Sequence, residues 1–374
     1  MLEPIDMATL NWIEVKNFKS IRHMRLDVRP LNVVIGANGA GKSNLIGAFR
    51  LLRQILHGRL QEYVLQQGSA ASILHYGPKI SPKMSMQFNF DRNGFVYKFT
   101  LAPTVRDSLF FVEEATRYNN PDPQPDQWQR LGSSGHEEAC LPEAAKGPRQ
   151  DYKLMMRAME NWAVYHFQDT SDTSPPKRTQ DVNDDHSLRP DASNLAAFLY
   201  GLQVQHPTEL RRITEHVQRM APFFAEFQLA PLARSPGKIR LEWRHRHSEG
   251  YFDASSLSDG TLRFICLATL LLQPRSLKPS VILIDEPELG LHPAAITLLA
   301  EMLREASSDC VQILAATQSV TLLDQLTPDE VIVAEQADGA STFRRLDEQS
   351  LRSWLEDYSL GELWLKNVLG GRPQ

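Results

Sequence analysis

Gly36-Ala37-Asn38-Gly39-Ala40-Gly41-Lys42-Ser43 follows an apolar run, Leu31 to Ile35. It precedes a stretch in which Leu45, Ala48, Phe49, Leu52, Ile55 and Leu56 recur at helical spacing. Strand, glycine loop and helix in this order are the context in which the pattern holds phosphate. Glycines let the backbone wrap tightly, so that its N–H groups point inward at the β- and γ-phosphates, assisted by the helix N-terminus. Lys42 supplies a positive point charge, and the Ser43 hydroxyl is placed to hold Mg²⁺. Asn38 and Asn44 flank these groups, with Asn38 expected at the γ-phosphate.

A second segment carries acid chemistry. Val281-Ile282-Leu283-Ile284 is an apolar strand that ends in Asp285-Glu286. Two adjacent carboxylates delivered beside phosphates suit Mg²⁺ positioning by the first and water activation by the second. A third segment, Leu257-Ser258-Asp259-Gly260-Thr261, opens the apolar helix Leu262 to Leu272. Ser258 and Gly260 could present a hydroxyl and N–H groups to an anion there. As a plain N-cap, Ser258 or Asp259 would need no ligand at all.

Outward from these motifs, the last third alternates apolar strands (280–284, 311–315, 331–334) with a helix over 293–306 and a shorter one near Val320. Continuous Val/Ile/Leu runs between helices predict parallel strands buried on both faces. Residues 84–90 and 95–101 flank Asp91-Arg92-Asn93-Gly94 and predict a β-hairpin. Residues 119–150, rich in Pro, Gly and polar side chains, predict a long loop or partly disordered insert. Helical patterns cover 152–162 and 194–227, separated by a second polar loop over 169–193. The expected division is 1–150 for the N-terminal half of a nucleotide head, 151–245 for an inserted helical lobe, and 246–374 for the C-terminal half.

Composition bounds the rest. The 374 residues are 42% apolar, enough for a sizeable core, and the net charge of −5 argues against wholesale nucleic-acid binding. Basic surface must be local, and Arg211-Arg212, Arg219, Arg240 and Arg244-His245-Arg246-His247 are the candidates, against the alternative of a solvated face. Cys140, Cys266 and Cys310 are far apart and read as reduced thiols without a metal framework. No run is long enough to span a bilayer and the N-terminus lacks an apolar signal core, so a cytoplasmic protein is expected.

The motifs resemble those of ABC-type ATPases of the SMC/RecF-like branch, and more closely small bacterial AAA-family ATPases related to RecF and OLD proteins. The resemblance rests on Asn17-Phe18-Lys19-Ser20, the phosphate loop, Leu-Ser-Asp-Gly-Thr, Asp285-Glu286-Pro287-Glu288-Leu289-Gly290-Leu291-His292-Pro293 and Ala316-Thr317-Gln318-Ser319. The middle of the chain, roughly 100 to 235, matches only loosely. The resemblance implies a P-loop NTPase of ABC/SMC-head type: an α/β fold with a mainly parallel core sheet, an antiparallel β subdomain and the inserted lobe. It implies ATP and Mg²⁺ as cofactors and a head-to-tail homodimer closing around two ATP molecules. In that dimer Ser258 and Gly260 cap the γ-phosphate held by the other copy, and Gly290 to His292 link the two sites. It further implies Glu286 as the base, with Lys42 and Gln318 at the γ-phosphate. A glutamine should line the Mg²⁺ position beside Ser43 and Asp285. Gln168 is the candidate and Gln87 the fallback.

Three departures bear on mechanism. Gln318 stands where a histidine is usual, Asp259 replaces a glycine, and His292 stands where an aspartate is usual. Glutamine can hydrogen-bond a phosphate but carries no charge, which points to slow turnover. Asp259 puts a carboxylate near the shared site, where a basic partner or Mg²⁺ would have to offset it. Sustained heptads are lacking, so no long coiled-coil arm is expected. About 55 residues beyond Gln318 are too few for a nuclease domain, so a nuclease or effector would be a separate partner. The resulting expectation is an ATP-dependent switch in DNA maintenance or anti-phage defence, with DNA as a further ligand. An ATP-binding scaffold with negligible hydrolysis, or the motor subunit of a membrane transporter, are the alternatives.

Overall fold

The computed structural model describes residues 9–90, 94–118, 128–171, 173–308 and 310–372. Its centre is a six-stranded sheet in the spatial order Ala340–Arg345, Val331–Ala337, Leu31–Ile35, Gln312–Thr317, Val281–Asp285, Trp162–Tyr165. Every neighbouring pair is parallel except the terminal hairpin of Val331–Ala337 with Ala340–Arg345. Leu31–Ile35 and Gln312–Thr317 are buried along their whole length, as strands covered on both faces must be.

Side chains alternate across this sheet and divide the core in two. Val34, Val281, Leu283, Leu314 and Ala316 pack on one side with the helix Lys42–Leu56 and with a second, antiparallel sheet. Val33, Ile35, Ile282, Ile284, Ile313 and Ala315 pack on the other with the helices Asp259–Leu272 and Pro293–Ala306. The antiparallel sheet runs in the order Ile21–Asp27, Leu10–Phe18, Met84–Phe90, Phe95–Pro103, Leu109–Tyr118, Gln129–Arg130. Phe49, Phe88, Phe90 and Trp162 meet edge-on between the layers. The 84–90 and 95–103 hairpin forms as expected, while Asp91 to Asn93 of its turn lie outside the described residues.

One expectation needs correction and another narrows. The stretch 151–245 is not a purely helical lobe, because Trp162–Tyr165 is the edge strand of the central sheet. It also supplies Phe224–Gln228 and Glu242–His245 of a three-stranded antiparallel sheet completed by Tyr251–Asp253. Helices Gln150–Glu160, Leu195–Gln205 and Pro207–Met220 account for the helical pattern. For residues 128–149 the expectation of a long loop or partly disordered insert narrows to the loop: Leu131 and Leu141 are buried, and the segment is fastened to the antiparallel sheet by the buried Glu114. Residues 119–127 lie outside the described residues. Among the described residues no helix is long and apolar enough to cross a membrane.

Candidate nucleotide site

Parallel strands gather their carboxyl ends at one edge of a sheet, and the loops leaving those ends form the site. Here Leu31–Ile35 delivers the phosphate loop, Val281–Asp285 delivers Asp285 and Glu286, Gln312–Thr317 delivers Gln318, and Trp162–Tyr165 leads to Gln168. Gly41 takes the left-handed conformation (φ 103°) that a glycine adopts without penalty, and a Cβ there would lie 2.1 Å from the Ser341 hydroxyl. At Gly36 a Cβ would lie 2.3 Å from the Ala334 carbonyl, so the loop can be this compact only with glycine.

Lys42 is 6% exposed and donates to the carbonyls of Gly36 at 2.6 Å and Ala37 at 3.0 Å. Burial lowers its affinity for the proton, while Glu286, Asp285 and Glu288 pull the other way. Asp285 is held above the usual carboxylate range by burial and by the Glu286 charge, against hydrogen bonding from Ser43 and the charges of Arg50 and Lys42. Glu286 sits at φ 49°, a conformation that costs a non-glycine residue on the order of 1 kcal/mol and recurs at functional positions. Its N–H donates to the Ala316 carbonyl at 2.8 Å, and its carboxylate accepts from Gln318 Nε2 at 2.8 Å. Lys42, Ser43, Asp285, Glu286 and Gln318 are therefore brought together within one chain. Gln168 joins them, lining the same small cavity as Asp285 and Glu286. Gln87 is instead bound to Glu14 in the antiparallel sheet.

Two clefts flank the phosphate loop. One, of about 830 Å³, is bounded by Ala37 to Ala40, Glu335, Gln336, Asn367 and Arg372. The other, of about 650 Å³, is bounded by Lys19, Ser20, Asn44, Gln67 and Tyr76. Each is within the range that takes a cofactor-sized ligand. Lys19 is not a freely solvated lysine, since its ammonium donates to Gln67 Oε1 at 2.8 Å.

The segment 257–261 belongs to a different neighbourhood. Ser258 is the N-cap of Asp259–Leu272, accepting from the Thr261 N–H at 3.2 Å. A Cβ on Gly260 would lie 2.5 Å from the Gly290 carbonyl, so this glycine is required by the loop after Glu286. Asp259 has a basic neighbour in its own chain, Lys177 at 4.0 Å. His292 caps Pro293–Ala306, its Nδ1 accepting from the Ala294 N–H.

Two residues escape sequence reasoning. Arg263, 6% exposed within an otherwise apolar helix, donates to the carbonyls of Phe167 at 2.9 Å, Gln168 at 3.0 Å and Leu289. It thereby ties the helix Asp259–Leu272, which opens at the Leu257–Thr261 segment (the signature turn), to the loops after Trp162–Tyr165 and after Asp285. One guanidinium in an apolar run was the available signal. Glu288 accepts from Thr317 Oγ1 at 2.6 Å and the Gln318 N–H at 3.2 Å, and so fixes the turn that carries Gln318. Burial raises its proton affinity. No spacing in the sequence marks it, because its partners lie 29 and 30 residues away.

The basic segments of the middle region are largely neutralised. Arg212 pairs with Glu305, Arg219 with Glu301, Arg240 with Glu242 and Asp253, and Arg244 with Glu226.

The site's sequence span is matched by a family model described as "AAA domain, putative AbiEii toxin, Type IV TA system" (AAA_21), over residues 31–324. A "Putative ABC transporter ATP-binding protein" of Methanosarcina acetivorans is 34% identical over 80 residues, 21% of this chain. That match spans 28% of the relative's length. The fold is similar to that of an Smc head solved with the C-winged helix domain of ScpA, at a TM-score of 0.61 and 15% identity, covering 92% of this chain and 99% of that one. It is also similar to a Pyrococcus furiosus Smc head with an extended coiled coil bound to the C-terminal domain of ScpA. There the TM-score is 0.59 at 14% identity, covering 94% and 99%. The architecture is thus that of an SMC-head-like P-loop NTPase, with a mainly parallel sheet beside an antiparallel one.

Proposed function

This chain belongs to the AAA_21 family, and on that premise we propose that it is an ATP-hydrolysing head that dimerises head-to-tail around two ATP molecules. The observation that carries the reading is the Gln318 Nε2 to Glu286 contact at 2.8 Å, next to a Ser43–Asp285 hydrogen bond and the buried Lys42. Hydroxyl, carboxylate and amide oxygens of Ser43, Asp285 and Gln168 form a hard donor set that suits Mg²⁺, which would offset phosphate charge when bound. Glu286 would orient and deprotonate the attacking water, Gln318 would hold both that water and the Glu286 carboxylate in place, and Lys42 would face the γ-phosphate. Residues 36–44 would cradle the phosphates. Ser258 and Gly260 would complete the site of the other copy, with Lys177 offsetting the Asp259 charge at that junction.

Closing the dimer from mostly open to mostly closed needs about 5 kcal/mol of differential binding. Charge-assisted contacts from Ser258 and Gly260 to two γ-phosphates are of that order. The same reading makes the protein a cytoplasmic switch in DNA maintenance or anti-phage defence, acting with a separate nuclease or effector. The family description, a component of a toxin–antitoxin system, favours the defence arm. The pairing of four arginines with acids weakens the case for DNA contact through the 211–247 surface.

Steady-state release of phosphate from Mg·ATP tests the enzymatic part. Wild type should turn over above the Lys42→Ala background, and Glu286→Gln should fall about 100-fold while retaining ATP. Wild-type turnover equal to that of Lys42→Ala would instead favour an ATP-binding scaffold.

A further inference from the structure

Far from the nucleotide motifs, three side chains of different chemistry converge under the antiparallel sheet. Glu114, on the strand Leu109–Tyr118, is 2% exposed. Its Oε1 accepts from Tyr97 Oη at 2.9 Å and the Leu141 N–H at 3.0 Å, and its Oε2 accepts from the Cys140 N–H at 2.7 Å. The Cys140 side chain also hydrogen-bonds this carboxylate, and His136 Nε2 stands 3.7 Å from Oε2. A ligand atom from each of Glu114, His136 and Cys140 lies within 4.8 Å of the others.

The histidine is oriented in a specific way. Its Nδ1 lies 2.7 Å from the Glu138 carbonyl oxygen, which can only accept, so Nδ1 carries a hydrogen and Nε2 is the ring nitrogen turned toward Glu114. The ring stacks on Phe111 (centroids 4.6 Å apart, planes at 14°), and the Phe111 N–H donates to the His136 carbonyl at 2.8 Å. Nε2 and Oε2 face each other across the cluster. At 3.7 Å they are too far apart to share a proton. Ligand atoms of a tetrahedral metal with bonds of about 2.1 Å stand about 3.4 Å apart. The observed spacing is within a few tenths of an ångström of that of two ligands around one ion.

We propose that Glu114 Oε2, His136 Nε2 and Cys140 Sγ form a transition-metal site of the zinc class, with a fourth position open to water. The nitrogen, sulfur and oxygen set selects Zn²⁺ over Mg²⁺ or Ca²⁺. The hydrogen bonds to Glu114 and from His136 are the supporting shell that orients such ligands. The thiolate is the ligand form of cysteine, so binding would expel the Cys140 proton and tighten as pH rises. His136 and Cys140 are half-buried, which leaves an entry path. Glu138, between them, accepts from the N–H groups of Leu60 and Gln61 at 2.8 and 3.0 Å. The ion would thus fasten residues 131–141 both to the sheet and to the helix Leu60–Gln66, stabilising this side of the head.

The test uses the full chain freed of metal by a chelator and titrated with Co²⁺, with Zn²⁺ as competitor. One equivalent of Co²⁺ should produce a thiolate-to-cobalt charge-transfer band that Zn²⁺ removes. Cys140→Ser should abolish the band, and His136→Asn should weaken binding at least about 10-fold. Lys42→Ala and Asp285→Asn should leave it unchanged, which separates this site from the nucleotide site. In the unaltered protein, Zn²⁺ should protect Cys140 from alkylation and leave Cys310 as reactive as before. A missing thiolate band, or Cys140 alkylation indifferent to Zn²⁺, would overturn the proposal and leave the cluster as a hydrogen-bonded cap of the loop.

Discussion

The phosphate loop and the signature turn are both glycine-dependent segments at a helix start, yet the chain treats them differently. Around the phosphate loop, four strand ends from distant parts of the sequence bring Lys42, Ser43, Asp285, Glu286, Gln318 and Gln168 together. Around Ser258 to Gly260 the neighbours are structural: the Thr261 N–H, the Gly290 carbonyl and Lys177. One region gathers the candidate catalytic groups from its own chain, and the other offers an anchored helix start that carries the acid Asp259. That asymmetry is what a site shared between two copies requires.

The link between the two regions is Arg263, and removing it is the strongest way to break the comparison. Arg263→Met strips the donor from three carbonyls and should cost about 3 kcal/mol of stability, read as a lowered midpoint in urea. It should also uncouple ATP binding from dimer formation. A variant as stable as wild type would show that the guanidinium does not hold these loops. Next in size is Gly260→Ala, whose methyl would meet the Gly290 carbonyl backbone at 2.5 Å. A loss of about 2 kcal/mol is expected from this overpacking. Turnover should drop more than ATP binding, because the phosphate loop is untouched.

The smallest effect has the opposite sign. Burial raises the proton affinity of Asp285 in the folded chain. A group shifted this way contributes stability below the ordinary carboxylate range and loses it as pH rises through the raised value. Asp285→Asn, measured without nucleotide or divalent ion, should therefore be modestly more stable than wild type at neutral pH, read as a higher midpoint in urea. That advantage should vanish on acidification. A wild-type chain with the same midpoint as the variant across that pH range would remove the idea that this carboxylate is held at a cost.

Much of this contrast is legible in the sequence, for physical reasons. The parallel strands 281–285, 312–317 and 331–337 and the helix 293–306 stand out because strands buried on both faces must be continuously apolar. Phosphate-loop and acidic motifs are local, so the residues that act are adjacent in sequence. Trp162–Tyr165 is less visible because four residues carry too little periodicity, and only its pairing with Val281–Asp285 makes it a core strand. Arg263, Glu288, Arg212 and Arg219 depend on partners far along the chain. The Glu114–His136–Cys140 cluster likewise joins a strand to a segment that composition alone presents as a long loop or partly disordered insert.

Solution mass with Mg·ATP tests the shared-site claim most directly, measured for wild type, Glu286→Gln and Ser258→Arg. The account predicts an ATP-dependent dimer that accumulates in Glu286→Gln and is abolished in Ser258→Arg. A monomer throughout, or a dimer indifferent to ATP and to Ser258, would contradict it and make the phosphate-loop site complete within one chain.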